Sequence, residues 1–235
     1  MFDQRPTDVI TSPRAEVTNA FMRGVYLWMC IGLAVTAFFA YGTLAFAPLR
    51  NFVFSSKYVF YGLLIGEVLL VVALSAAIHK MSSFAATGVF ILYSVLNGMT
   101  LSVLLLVYTQ QSVFTAFLTT AGMFGAMSVY GLVTKRDLTG MGSFMMMGLF
   151  GIIIAMVINM FVGSSALDLG ISIIGVFIFL GLTAFDTQAL RNMGESAPMD
   201  DALAIRRGTI IGALKLYLDF INIFIMLLRI FGDRR

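Results

Sequence analysis

Seven stretches of this 235-residue chain are apolar for the length of a membrane crossing, and that leaves few ways to fold it. They cover residues 24–47, 58–78, 84–107, 113–133, 143–162, 169–190 and 209–231. Each matches the roughly 20 residues that a helix needs to cross a hydrocarbon layer about 30 Å thick. A soluble chain of this size can bury one core, but it cannot also hide seven such runs. The composition agrees: 60% of the residues are apolar and 11% charged, against roughly 45–50% and 25% in a soluble domain. The runs are continuous and do not alternate with period two, so each is a helix and not a barrel strand. The expected fold is an all-α integral membrane protein with seven transmembrane helices.

The organisation follows. Residues 1–23 form a segment ahead of the first span, 24–231 one transmembrane domain and 232–235 a short tail. Residues 1–23 carry Asp3, Asp8 and Glu16 among Arg5, Arg14 and Arg23 and lack the apolar stretch of a signal peptide, so the first span is expected to be retained. Connections are short except for 191–208, which reads as the single long loop. Nine basic residues fall on the N-terminal side of the spans: Arg5, Arg14, Arg23, Lys80, Lys135, Arg136, Arg191, Arg206 and Arg207. The opposite short loops hold two, Arg50 and Lys57. This asymmetry places the N-terminus in the cytoplasm. Arg229, Arg234 and Arg235 then end on the far side, against the rule; a last segment that dips in and returns would restore it. The 209–231 span has no central Gly or Pro to turn on, which favours a full crossing. Net charge is +3 with no basic patch for nucleic acid, and Cys30 is the single cysteine, so no internal disulfide forms.

Chemistry is sought where polarity is costly. Asp219 lies near the middle of the last span and Asp186 towards the end of the span before it, in GLTAFDTQAL. An Asp at the centre of a membrane helix costs about 2.5–3.5 kcal/mol on insertion scales and marks an ion or proton path more often than a staple. Two carboxylates meeting in a dry site hold a proton between them, respond to pH and exchange that proton for a cation. Continuing the Asp186 helix to Glu195 brings the two acids to similar depth. Lys215 stands four residues before Asp219 on the same face; it either pairs with Asp219 or snorkels to the interface. Glu67 is a third acid in mid-span, either lining a path or serving structure. Asn97, Asn159 and Asn222 read as interhelical glue, with Asn222 given added weight by its place three residues from Asp219. Gly62-xxx-Gly66 and Gly208-xxx-Gly212 are spacings that let helices approach closely. No phosphate loop, dinucleotide motif or serine-hydrolase elbow is present. An intramembrane aspartyl protease would need a Gly-x-Gly-Asp helix, and here Tyr217-Leu218-Asp219 stands in its place. No enzyme and no cofactor are expected.

The run Leu216-Tyr217-Leu218-Asp219-Phe220-Ile221-Asn222, followed by Leu227-Leu228-Arg229-Ile230-Phe231-Gly232, closely resembles the C-terminal signature of the Bax inhibitor family. GLTAFDTQALRNMG, and MFGAMSVYGLVTKRDLTGMG upstream, resemble its bacterial inner-membrane branch. The resemblance implies six helices packed around a central C-terminal one and a pH-dependent calcium leak. It matches Asp186 and Asp219 to an aspartate pair that senses pH and gates, and Glu67 to an acid of the second helix. Read from the residues themselves, Glu67 and Asn222 are candidates to line the ion path, Lys215 to modulate the pair, and the two aspartates to meet calcium transiently. An Arg that latches onto the pair in one homologue is matched by Ile78, with His79 and Lys80 following. Other bacterial members are tied to restraint of a membrane protease, so a non-conducting regulator that binds such a partner is the alternative. In either case the implied surroundings are the lipid bilayer of a bacterial inner membrane.

Overall fold

A computed structural model describes residues 13–77, 81–196 and 202–235. Those residues fold into α1 (Pro13–Ala45), α2 (Ala47–Phe54), α3 (Lys57–Ala77), α4 (Ser83–Val107), α5 (Gln110–Val133), α6 (Thr139–Val162), α7 (Ser165–Ser196) and α8 (Ala202–Phe231). All but α2 are long and apolar enough to cross a membrane, which bears out the seven-span fold. Among the described residues there is no strand. The short α2, read from sequence as a connection, opens on a proline in its first turn, where a missing N–H costs nothing, and buries Val53.

Hydropathy located the crossings but not the helix ends. The stretch expected as a long loop, 191–208, is largely helical: α7 runs on to Ser196 and α8 starts at Ala202. Only 197–201 between them lie outside the described residues. With 32 residues α7 is about 48 Å long, well beyond the bilayer core, so its polar end rises out of the apolar layer as helix. Arg191 and Glu195, which made that end look like a loop, pair one turn apart at 3.3 Å. Arg14 donates to the Glu195 carbonyl and ties the start of α1 to the end of α7.

The turns are tight where the chain reverses. Gly163 takes φ 66° at the end of α6, a left-handed conformation that suits glycine. Asn159 Oδ1 accepts the Ser164 N–H at 3.0 Å, so this asparagine caps a turn instead of gluing helices together. Thr109 caps α5 by accepting the Ser112 N–H at 3.2 Å. Ahead of α6, Asp137 accepts from the Thr139 N–H at 2.9 Å and from its hydroxyl. These donors hold the Asp137 carboxyl below its usual range. The contact is therefore fully formed at neutral pH and is expected to loosen as the pH falls through the acidic carboxylate range, readable as line broadening of the Thr139 amide.

The C-terminal tail closes the bundle at the end opposite Arg14. The Thr109 N–H donates to the Asp233 carbonyl at 3.0 Å and the Arg235 N–H to that of Val107 at 2.9 Å. The Arg234 guanidinium lies 5.9 Å from the Tyr108 ring centre. An unbroken α8 ending beside the α4–α5 turn crosses fully, and the re-entrant alternative is set aside.

Helix α8 is the most enclosed: 67% of its apolar stretch is buried inside the protein, against 11% for α3 and 6% for α6. It packs extensively on α1, α4, α5 and α7, whereas α3 rests on α4 and α6 on α7. Close approaches use single glycines. Space beside Gly98 ends at the Thr36 carbonyl of α1, and beside Gly131 at the Ala184 carbonyl of α7. Gly208 and Gly212 do lie against neighbours, with Leu190 and Val25 beside Gly212. Gly62 and Gly66 have nothing near them and face outward, so that spacing is no packing device here.

Candidate functional site

Three acids expected to matter share one cavity of about 690 Å³ bounded by α3, α6, α7 and α8. Glu67 enters it from α3, Asp186 from α7, and Asp219, Lys215 and Asn222 from α8. Helices α7 and α8 pack along their length, and the extension of α7 to Ser196 sets Asp186 well inside its helix, where it reaches the face of α8 that carries Asp219.

The carboxylates differ in what they touch. Asp186 Oδ1 lies 3.4 Å from Lys215 Nζ. Lys215 thus takes neither course read from sequence: it reaches across to the neighbouring helix instead of pairing with Asp219 or leaving for the interface. Asp219 is only 5% exposed, and its Oδ2 has no hydrogen-bond partner. Asp186 and Lys215 line the cavity with it. An unsatisfied buried acceptor costs roughly 1–3 kcal/mol and more when charged, so this oxygen is poised to take a proton or a cation.

Glu67 is held in place. Its Oε1 accepts from the Thr100 hydroxyl at 2.7 Å and its Oε2 from Asn97 Nδ2 at 3.4 Å. Asn97 Nδ2 also lies 3.3 Å from the Tyr93 hydroxyl, so Asn97 does glue α3 to α4. From Tyr93 the polar seam continues to α8, where its ring meets Tyr217 edge to face with centres 5.8 Å apart. The Tyr217 hydroxyl lies 2.6 Å from that of Thr36, which donates to the Ser94 carbonyl at 2.9 Å. The acid of α3 is thereby tied into the buried core of α1, α4 and α8. Asn222 lines the cavity, but its amide donates to the Leu218 carbonyl of its own helix at 2.8 Å.

Two features escaped the sequence reading. At the far edge of the cavity, Arg229 Nη1 lies 3.1 Å from Asp168 Oδ1, joining the end of α8 to the start of α7. The signal was present: consecutive antiparallel helices put the last turn of one beside the first turn of the other. Gln188 accepts from the Leu138 N–H at 2.9 Å and donates to the Arg136 carbonyl at 2.8 Å, fixing the α5–α6 connection to α7. The stretch matched to the family's latch, Ile78 to Lys80, lies outside the described residues. Among the described residues no three His, Cys, Asp or Glu side chains converge to hold a metal ion; Asp186 and Asp219 offer two carboxylates and no cage.

Residues 18–235 match the family described as inhibitor of apoptosis-promoting Bax1. The chain is 48% identical over 229 residues to the Escherichia coli inner membrane protein YbhL, covering 97% of each. It is 47% identical to an uncharacterised protein of Borreliella burgdorferi, covering 96% of this chain and 98% of that one. With an uncharacterised membrane protein of Streptococcus pyogenes it shares 40% identity over 91% and 93% of the two chains.

Proposed function

Because this chain belongs to the Bax inhibitor family, we propose that it is a multi-pass inner-membrane protein that lets cations, calcium foremost, leak down their gradient under control of Asp186 and Asp219. The observation that carries the reading is the gathering of Glu67, Asp186, Asp219 and Lys215 around one cavity within the membrane. With both aspartates ionised, the set Asp186, Asp219 and Lys215 carries one net negative charge; one proton cancels it. A cation arriving at the orphan oxygen of Asp219 is therefore held in one protonation state and released in the other, which makes the pair a pH-sensitive gate. Glu67, fixed by Thr100 and Asn97, lines the path without taking part in that exchange, and Asn222 lines it from α8. The protein performs no chemistry and needs no cofactor on this reading. Calcium uptake by liposomes containing the full chain tests it: uptake no faster than in empty liposomes overturns the leak.

Glu67→Gln is expected to lower flux severalfold while the pH midpoint stays where it is, since the substitution removes a lining charge and leaves the Asp186–Asp219 pair intact. Flux equal to the unaltered protein in that variant would assign Glu67 to structure alone. The same reading places the N-terminus in the cytoplasm, from the basic residues at the start of α1, in the α5–α6 connection, at the end of α7 and at the start of α8. A reporter fused after Arg235 is then expected to work only if it functions outside the cytoplasm. Activity of a strictly cytoplasmic reporter at that position would reverse the orientation.

A further inference from the structure

The cavity is open on one side. Val68 and Val72 of α3 and Met146 and Ile153 of α6 line it and are also exposed at the bundle surface, Val68 at 63% and Ile153 at 43%. Since α3 rests on α4 and α6 on α7, the gap between α3 and α6 faces sideways, and at this depth the medium outside is hydrocarbon. A molecule dissolved in the bilayer can enter here without crossing water. The walls it meets are apolar, and the inner face is acidic. Arg229 at the far edge is already engaged by Asp168.

The acids do not offer equal seats. Glu67 is occupied by Thr100 and Asn97, and Asp186 by Lys215. Asp219 is buried with one oxygen unpartnered. Lys215 shows the kind of group this face accepts: a primary ammonium at the end of an aliphatic stem. We propose that the cavity is a binding site for a membrane-soluble, single-chain primary amine, which enters between α3 and α6, lies along their apolar side chains and sets its ammonium against Asp219. A volume of about 690 Å³ falls within the roughly 300–1,000 Å³ typical of sites for drug-sized molecules. The site rests on the shape and charge of the cavity and stands whether or not ions cross, so absence of calcium uptake leaves it intact, and absence of amine binding leaves the leak intact.

The test uses the full chain in nanodiscs of zwitterionic lipid, with dodecylamine as the probe and empty nanodiscs as background, read by equilibrium dialysis. Dodecanoate keeps the chain and reverses the charge; methylammonium keeps the charge and removes the chain. Saturable binding of one dodecylamine per protein is expected, roughly tenfold or more tighter than either comparison compound. Asp219→Asn is expected to weaken it by roughly tenfold or more, the loss of a charge-assisted contact. Ile153→Trp, which narrows the side opening without touching a charge, is expected to weaken it as well. Dodecanoate binding as tightly as the amine, uptake that never saturates, or unchanged binding in Ile153→Trp overturns the site. If Asp219→Asn does not fold, as judged by gel filtration, the Ile153→Trp result and the dodecanoate comparison decide.

Discussion

Replacing either Asp186 or Asp219 with Asn is expected to flatten the dependence of cation flux on pH, and replacing both is expected to add little. The reason lies in the charge of a three-membered set. Lys215 sits 3.4 Å from Asp186, and Asp219 lines the cavity with both. Neutralise one aspartate and the remaining carboxylate is matched by Lys215, so the net negative charge that a cation sees is gone. At about 5 Å and an effective dielectric of about 20, one unit charge stabilises another by about 3 kcal/mol, which is roughly two orders of magnitude in occupancy. Each single substitution already removes the net negative charge that one proton cancels, so the double variant has little further pH dependence to lose, although it leaves Lys215 unmatched and is expected to lower the flux itself. Calcium uptake by liposomes across a pH series, with each variant first shown to be folded, gives the answer. Unaltered pH dependence in both single variants would falsify the gate and favour a non-conducting regulator that binds a membrane partner such as a protease.

The second large effect concerns the framework that brings those side chains together. Gly98→Ala is expected to destabilise the bundle by about 1–3 kcal/mol, the usual range for forcing atoms into a packed interior. A Cβ at that position stands 2.5 Å from the Thr36 carbonyl oxygen and 2.8 Å from the Phe39 Cβ. The first of these is backbone and cannot rotate away, so α1 and α4 must separate. That separation strains the seam next to it, in which Thr36 joins Tyr217 to Ser94 and Asn97 holds Glu67. Gly62→Ala is the internal comparison. Nothing lies within 4 Å of an added Cβ there, and alanine favours helix over glycine, so the change is expected to be neutral within about 0.5 kcal/mol or slightly stabilising. Thermal unfolding of the two purified variants separates them. Equal melting temperatures would show that the α1–α4 approach is not needed for stability.

That contrast shows where sequence reading stops. Gly62 and Gly66 carry the textual spacing of a helix contact and have none, while Gly98 and Gly131, neither of them in a Gly-xxx-Gly pair, press against the backbone of a neighbouring helix. A glycine records only that a side chain is absent; which neighbour uses the space depends on how two helices cross. Helix ends were misjudged for a related reason. Hydropathy senses where lipid gives way to water, and a helix such as α7 continues past that boundary wherever its residues permit.

The sequence by itself determined the number and nature of the spans, because hydrocarbon leaves a backbone no partner but its own helix. It also singled out Glu67, Asp186 and Asp219, because a carboxylate placed in such a run is costly whatever surrounds it. Tertiary structure decided what those acids do with one another. Only the rotation and contact of α7 against α8 sends Lys215 to Asp186, leaves an oxygen of Asp219 alone, and pairs Arg229 with Asp168. Only the separate seating of α3 on α4 and of α6 on α7 opens the cavity to the side. Cost of burial is a property of one residue in its segment and can be read along the chain. Pairing is a property of two helices and waits on the angle at which they meet.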